Sequence, residues 1–321
     1  MRLKRPYSMF SALRLSATGE TMNRSTTDAD IFATTSAPMR AVPEPVTSRV
    51  CVEMVSLMDD AYVVSPEWTE AHLEDPSVRL VDVRDAWEFD AIGHLPGAVN
   101  VPFDSYRDED SDEPGTLPGA AAFADLLEAA GIEPDDAIVA YDDMHGVFAA
   151  RFVLTARVYG HEDVRLLDGD FSAWNRERET TSDEPEFEPS SYEPDPLSTE
   201  ESPLIDLEGV EAALERDAIF VDTREQDEYE EARLPGAVRF DWREVVDDET
   251  RRLKPEAELE ELLSEHGITP DREIILYCNT ARRISHTYVV LRALGYENIG
   301  FYEGSLTEWI AADGVLETGS E

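Results

Sequence analysis

The chain contains the same sequence plan twice, and this duplication constrains its fold more than any other feature. Residues 80–84 (Leu-Val-Asp-Val-Arg) recur as residues 220–224 (Phe-Val-Asp-Thr-Arg). Each copy then carries the segment Leu-Pro-Gly-Ala-Val, and each closes with a glycine followed five residues later by tryptophan, at Trp174 and Trp309. Because these matches occur in the same order, the sequence predicts two copies of one domain.

Length and composition agree with two folded domains. A chain of 321 residues fits two domains of roughly 150 residues each, and 42% hydrophobic residues can form buried cores. The stretch between the copies is rich in Glu, Ser, Thr and Pro, which is typical of a linker. We predict an N-terminal extension at 1–58, domains at 59–175 and 204–318, and an acidic linker at 176–203. The extension is either disordered, or natural translation begins at Met54 or Met58.

Each copy alternates short apolar runs with helical patterns, which indicates an α/β fold. The predicted strands are continuously apolar, as expected for parallel strands covered on both faces; they are 79–83, 137–141, 218–221 and 274–277. One helix is predicted to start at Ser65-Pro66, an N-cap followed by proline. Further helices are predicted at 121–130, 256–266 and 284–294. The expected architecture is therefore two small parallel sheets flanked by helices.

The net charge of the chain limits the classes of partner it can bind and indicates the salt concentration it is suited to. There are 71 acidic and 27 basic residues, a formal net charge of -44, and lysine occurs only at Lys4 and Lys254. A field of this sign repels phosphate backbones and anionic lipids, so we expect neither nucleic acid nor a membrane as a partner. An acidic, lysine-poor surface suits concentrated salt, where self-repulsion is screened. We therefore expect a halophilic cytoplasmic protein.

Cys278 is the candidate reactive residue. The only other cysteine is Cys51, so no disulfide framework is expected. Cys278 follows a predicted strand and precedes Asn-Thr-Ala-Arg-Arg and a helix, the place where α/β sheets bind ligands. Backbone amides, the helix terminus and the two arginines favour thiolate over thiol and bind anions. The alternative interpretation is a small buried apolar residue.

These motifs together resemble the tandem-domain rhodanese family, the thiosulfate and 3-mercaptopyruvate sulfurtransferases, in a haloarchaeal-like form. The resemblance covers about residues 60–318 and rests on the Asp-x-Arg strand end, the Leu-Pro-Gly-Ala segment, the Gly-x4-Trp close and the Cys-x4-Arg loop from Cys278 to Arg283. It implies that Cys278 takes the outer sulfur of thiosulfate as a persulfide, releases sulfite and passes the sulfur to cyanide or a thiol. No cofactor and no metal is expected.

The resemblance also implies roles for neighbouring residues. Two residues, Asp222 and Arg224, either orient the loop or form a structural ion pair like that expected between Asp82 and Arg84. Many family loops have glycine where Ala281 stands, and some members bind substrate with an arginine where this chain has Glu228. That role is expected to pass to an arginine of the loop. The expected substrate-binding residues are Asn279, Thr280, Ala281, Arg282 and Arg283.

The first copy resembles the inactive amino-terminal domain of the same family. Tyr141 is followed by Asp142, which stands where the second copy has its cysteine. Because a carboxylate cannot form a persulfide, we interpret this domain as catalytically silent, with a structural role that includes a wall of the cleft at the domain interface. His145 is a candidate contact there, or a surface loop residue.

Three other functions compete with thiosulfate sulfurtransferase activity. A cell-cycle-type phosphatase needs a Cys-x5-Arg loop, and the sixth position after Cys278 is Ile284, so the spacing argues against it. Mercaptopyruvate is an alternative donor, although two loop arginines favour the thiosulfate dianion. The third is a sulfur-relay carrier or scaffold, in which a protein thiol replaces the small acceptor.

Overall fold

Parallel strands form the centre of each copy. The structure is a computed structural model that describes residues 58, 60–107, 116–183, 185 and 187–319. The first sheet contains β1 (Val63–Val64), β2 (Val78–Asp82), β3 (Val99–Asn100), β4 (Ala137–Tyr141) and β5 (Val164–Leu167). The second contains β6 (Leu204–Ile205), β7 (Ile219–Asp222), β8 (Val238–Arg239), β9 (Ile274–Tyr277) and β10 (Ile299–Tyr302). The strand orders β1-β5-β4-β2-β3 and β6-β10-β9-β7-β8 are equivalent, as the duplication predicts.

Helices connect and cover the strands. The first domain has α1 (Pro66–Ala71), α2 (Ala86–Ile92), α3 (Ala120–Ala129), α4 (Val147–Val158) and α5 (Phe171–Glu177). The second has α6 (Leu207–Leu214), α7 (Gln226–Glu231), α8 (Glu256–Glu265), α9 (Arg282–Ala293) and α10 (Ser305–Ala311). Short 3-10 helices occur at Phe103–Tyr106 and Trp242–Val245. In the described part of the chain, no helix has the length and apolarity needed to span a membrane.

The predicted α/β fold with two parallel sheets is confirmed, and the local signals account for several helix ends. Ser65 caps α1 by accepting a hydrogen bond from the Trp68 amide at 3.1 Å. Helices α3 and α8 are followed by Gly131 and Gly267, with φ of 66° and 70°, as expected for a C′ glycine. Helix α9 begins at Arg282, two residues earlier than predicted, because the loop before it is short.

Alternate residues of each strand enter different cores, which explains their continuous apolarity. Val81 and Leu276 point into one core that includes residues of both domains. Leu80 belongs to a separate core on the outer face of the first domain, and Ile275 to the matching outer core of the second. Each sheet is therefore buried on both faces, the arrangement typical of parallel sheets.

The two domains pack through α4 and α9 and exchange equivalent polar contacts. Both belong to one compact unit, Met54–Glu321. The Leu117 amide of the first domain donates to Glu303 of the second at 3.0 Å. Reciprocally, the Leu253 amide of the second domain donates to Asp168 of the first at 2.8 Å. The duplicated domains are thus related by an approximate twofold arrangement that brings helices α4 and α9 together.

The segment between the domains lies against the first domain. Ser190 donates its amide to the carbonyl of Glu128 at 3.0 Å, and the buried Tyr192 hydroxyl contacts His161 Nδ1 at 2.8 Å. The described residues between α5 and β6 form no regular strand or helix. The predicted N-terminal extension, apart from Met58, and Cys51 lie outside the described residues.

Candidate active site

Cys278 lies at the junction between β9 and α9. The loop of residues 278–281, hereafter the cysteine loop, joins these elements. Cys278 is only 2% exposed. Its amide donates to Ser305 Oγ at 3.2 Å, and its carbonyl accepts from the Leu306 amide at 3.0 Å. Both peptide groups of the cysteine are thus held by the start of α10, which fixes the position of the side chain.

Ala281 gives the cysteine loop its turn into α9. Its φ of 61° lies in the left-handed region, where a non-glycine residue is strained by roughly 1–2 kcal/mol. The Ser285 hydroxyl donates to the Ala281 carbonyl at 2.9 Å and supports this conformation. A left-handed residue at such a turn brings successive amides to one side of the loop, which creates an anion-binding concavity.

The first domain contains an occupied version of this concavity. Residues 142–146, hereafter the aspartate loop, join β4 to α4. The Asp142 carboxylate is buried and accepts four backbone hydrogen bonds of 2.8–3.0 Å, from Met144, Gly146, Phe148 and Ala149. Burial raises the pKa of Asp142 to about 6, although these four amides act in the opposite direction. The loop therefore binds an anion supplied by its own side chain.

The two loops differ in their turn and in length. The aspartate loop has two left-handed residues, His145 with φ of 57° and Gly146 with φ of 85°, whereas the cysteine loop has one, Ala281 with φ of 61°. The cysteine loop is one residue shorter. Among the residues that the structure describes, no carboxylate accepts from amides of the cysteine loop. The second domain thus has a cysteine at the position where the first domain has the amide-bound Asp142.

The two arginines of the predicted site have different partners. Arg283 forms two hydrogen bonds with the Glu228 carboxylate of α7, Nη1–Oε2 at 2.5 Å and Nη2–Oε1 at 3.1 Å. Arg282 instead lies over the Phe148 ring of the first domain, with Cζ 5.0 Å from the ring centroid. Within the described ranges no carboxylate pairs with Arg282. Burial and the neighbouring Arg283 lower the pKa of Arg282, while the charge of Cys278 raises it.

Asp222 and Arg224 form a buried ion pair that reaches the cysteine loop. Arg224 binds Asp222 through Nε–Oδ1 at 2.8 Å and Nη2–Oδ2 at 2.6 Å. Its remaining Nη1 donates to Asn279 Oδ1 at 3.1 Å. In the first domain Arg84 binds Asp82 in the same way, but its buried Nη1 has no partner among the described residues. The pair thus supports both domains, and its loop contact distinguishes the second.

The predicted site residues do not all face the same space. Asn279 bridges Arg224 and Glu228, because its Nδ2 donates to Glu228 Oε1 at 2.7 Å. Thr280 is exposed. Two residues of this site were missed from the sequence, Ser305 and Phe148. Ser305 directly follows the repeated glycine of the closing motif, which is a usable signal, whereas Phe148 has no local signal because it belongs to the other domain.

Comparison with known proteins decides the family. The model of the rhodanese-like domain matches residues 65–177 and 206–312, one match for each copy. The chain belongs to the rhodanese-like domain family. The predicted tandem arrangement within this family is confirmed.

Several rhodanese-family proteins are similar over most of the chain. A thiosulfate sulfurtransferase of Pseudomonas aeruginosa is 32% identical over 256 residues, covering 77% of this chain and 93% of that protein. The sulfur carrier protein TtuD of Thermus thermophilus is 32% identical over 267 residues with the same coverage. A putative thiosulfate sulfurtransferase of Haloferax volcanii is 32% identical over 273 residues, covering 77% of this chain and 92% of that protein.

Solved structures share the fold of this chain at lower identity. The Tum1 protein of Saccharomyces cerevisiae is 22% identical with a TM-score of 0.71, covering 80% of this chain and 97% of that chain. The EanB Y353A variant in complex with ergothioneine is 18% identical with a TM-score of 0.73, covering 83% and 72% respectively. At these identities the likeness establishes the fold.

Proposed function

We propose that this protein is a sulfurtransferase that carries sulfur as a persulfide on Cys278. The proposed donor is thiosulfate, and the acceptor is cyanide or a thiol. Relatives over 77% of the chain named thiosulfate sulfurtransferase support this activity class. The first domain acts as a silent partner that contributes structure and one wall of the site.

The observation that carries the proposal is the comparison of the two loops. In the aspartate loop, four amides bind the buried Asp142 carboxylate. In the cysteine loop, Cys278 follows its strand at the matched position and no carboxylate of the described chain occupies the amides. A ring of amides stabilises a thiolate, and equally the terminal negative sulfur of a persulfide.

The first half-reaction is a nucleophilic displacement at sulfur. The Cys278 thiolate attacks the outer sulfur of thiosulfate, so that a bond between Sγ and that sulfur forms. The original sulfur–sulfur bond breaks, and its electron pair leaves with sulfite. Arg282 is the residue we assign to the sulfonate end of the donor, because its guanidinium lies over Phe148 of the first domain and has no carboxylate partner in the described residues, whereas Arg283 is paired with Glu228.

The second half-reaction returns the enzyme to its starting state. Cyanide or an acceptor thiolate attacks the outer sulfur of the persulfide, and the sulfur–sulfur bond to Cys278 breaks. The electron pair of that bond regenerates the Cys278 thiolate, and the products are thiocyanate or a new persulfide. No cofactor, oxidant or reductant enters either half-reaction.

A protein acceptor is the second candidate. The similarity to a protein named sulfur carrier favours a chain that delivers sulfur to a partner thiol. The chemistry at Cys278 is the same in both cases, and only the acceptor differs. Slow turnover with cyanide combined with fast transfer to a protein thiol would identify the carrier function.

The proposal is tested by intact mass spectrometry of the protein after incubation with thiosulfate in molar salt. We expect one added sulfur on the wild type and on Cys51→Ala, and none on Cys278→Ala. Arg282→Ala should still accept sulfur but with a KM for thiosulfate raised roughly tenfold, the size of one lost charge-assisted hydrogen bond. Absence of added sulfur from the wild type with every donor tried would contradict the proposal.

A further inference from the structure

Glu228 of α7 contacts Asn279 of the cysteine loop and Arg283 at the start of α9. Its carboxylate binds Arg283 through two hydrogen bonds and accepts a third from Asn279 Nδ2 at 2.7 Å. Glu228, Asn279 and Arg283 are called the Glu228 cluster below. The Glu228 and Arg283 side chains are only 25% and 22% exposed, so solvent screens their interaction less than that of an open surface pair.

The geometry indicates that Arg283 is electrically compensated. Although partial burial raises the pKa of Glu228, the hydrogen bonds and charge of Arg283 lower it below its ordinary value, so the carboxylate is ionised at neutral pH. Two parallel N–H···O bonds between a guanidinium and a carboxylate form a strong, oriented pair. Arg283 therefore presents little net charge to an incoming anion.

Asn279 keeps this pair in place. Its Oδ1 accepts from Arg224 Nη1 at 3.1 Å, and its Nδ2 donates to Glu228 Oε1. Because Arg224 is also bound to the buried Asp222, the Glu228 cluster is connected to the end of β7. The Glu228–Arg283 pair is thus held by further hydrogen bonds to Asn279 and Arg224, unlike an isolated ion pair between two exposed side chains.

Arg282 and Arg283 both interact with the charge of Cys278, but of these two only Arg283 has a carboxylate partner among the described residues. This matters because the chain has 71 acidic residues and most of its arginines in the described ranges pair with one of them. Of the two arginines that the sequence predicted to bind the donor, one therefore keeps a positive charge that no carboxylate of the described residues compensates.

We infer that Glu228 is a specificity-determining residue that controls how strongly the site discriminates between sulfur donors of different charge. By holding Arg283 in the Glu228 cluster, it weakens the preference for the thiosulfate dianion over singly charged donors, such as an α-keto carboxylate thiol, while thiosulfate remains a donor. This inference rests on the proposed function, because it concerns the donor at the same cysteine. The pairing of Arg283 also affects how strongly Cys278 attracts anionic reagents, which can be measured without sulfur transfer.

The test replaces Glu228 with glutamine and compares reagents that differ in charge. Alkylation of Cys278 by anionic iodoacetate and neutral iodoacetamide is followed by mass spectrometry of the Cys278 peptide, at low and at molar salt. We expect Glu228→Gln to raise the iodoacetate-to-iodoacetamide rate ratio roughly tenfold at low salt, because freed Arg283 then attracts the anion. The ratio of kcat/KM for thiosulfate over 3-mercaptopyruvate should rise in parallel.

Two further variants separate this effect from a general loss of charge or of folding. Glu231→Gln, an exposed position on the same helix, removes the same charge and should leave both ratios unchanged. Glu228→Gln combined with Arg283→Ala should abolish the gain, since the gain requires the freed guanidinium. An alkylation ratio that Glu228→Gln leaves unchanged, or that rises equally without Arg283, overturns the inference.

The two proposals fail in different ways. If the alkylation ratio changes as expected but no variant acquires sulfur from any donor, the inference about Glu228 stands and the proposed function fails. If the protein acquires sulfur but Glu228→Gln changes neither the alkylation ratio nor the kcat/KM ratio, the proposed function stands and the role of Glu228 is overturned. Since alkylation needs no turnover, the charge effect is measured in either case.

Discussion

At the scale of single residues, the site depends on backbone conformation as much as on side-chain chemistry. Ala281 has φ of 61° and ψ of -7°, a conformation in which its Cβ is strained. Backbone strain at Ala281 thus accompanies the turn that directs the amides of the cysteine loop to one side. Glycine would adopt the same angles without strain but loses more conformational entropy on folding.

We expect Ala281→Gly to raise the free energy of unfolding by about 0.5–1 kcal/mol, the relief of strain minus the entropy of the unfolded glycine. The matched control is Ala212→Gly in the exposed face of α6, which should lower stability by about 1 kcal/mol. Urea titration of both variants in the same salt measures the difference. Equal destabilisation by the two changes would show that Ala281 is not strained.

At the scale of secondary-structure elements, α4 and α9 connect the aspartate loop and the cysteine loop to the domain interface. Each helix begins at a loop, the aspartate loop or the cysteine loop, and each packs against the other. His286 of α9 is fully buried at this contact, with the Trp242 ring 5.3 Å away in edge-on geometry. Neither ring nitrogen of His286 has a hydrogen bond of good geometry in the described residues, although the backbone of His145 lies close enough to oppose the effect of burial on the His286 pKa.

This environment makes stability depend on pH. Burial lowers the pKa of His286 to about 4, below the value of 6.5 expected in the unfolded chain. Folding therefore favours neutral His286, and its contribution is fully present above pH 6.5 and lost as the pH falls towards 4. Between pH 6.5 and pH 4 we expect the free energy of unfolding of the wild type to fall by up to about 3 kcal/mol more than that of His286→Leu. Urea titration of both proteins at the two pH values measures this difference. Identical pH profiles would rule out His286 as the cause.

At the scale of the whole molecule, net charge is the feature with the largest expected effect on the stability of the folded state. A formal net charge of -44 on 321 residues opposes the compact state through self-repulsion unless salt screens it. The Debye length is about 30 Å at 0.01 M ionic strength and about 3 Å at 1 M, so repulsion spans the molecule only in dilute salt.

We therefore expect the thermal midpoint to fall steeply when molar salt is replaced by dilute buffer. An uncharged osmolyte at equal osmotic strength controls for effects other than screening and should restore less of the loss. The measurement is thermal unfolding followed by circular dichroism across a salt series. A midpoint that stays constant down to salt-free buffer would contradict the expected halophilic character.

The sequence by itself determined the tandem domain plan and the position of the candidate nucleophile, Cys278. The repeated Asp-x-Arg and Leu-Pro-Gly-Ala motifs predicted two equivalent sheets, and the strand ending at Tyr277 placed Cys278 at a ligand-binding edge. Asp142 at the matched position is the reason for the prediction that the first copy is catalytically silent. These features are readable because strands, turns and helix starts depend on residues that are close together in the chain.

The tertiary structure alone decided which charges the site presents. Arg282 and Arg283 are adjacent in sequence, yet one contacts Phe148 of the other domain and the other pairs with Glu228 of α7. The occupied amides around Asp142 were likewise visible only once the loop was folded. Such pairings depend on distances between elements far apart in the chain, and a carboxylate neutralises an arginine only when folding brings the two within hydrogen-bonding distance.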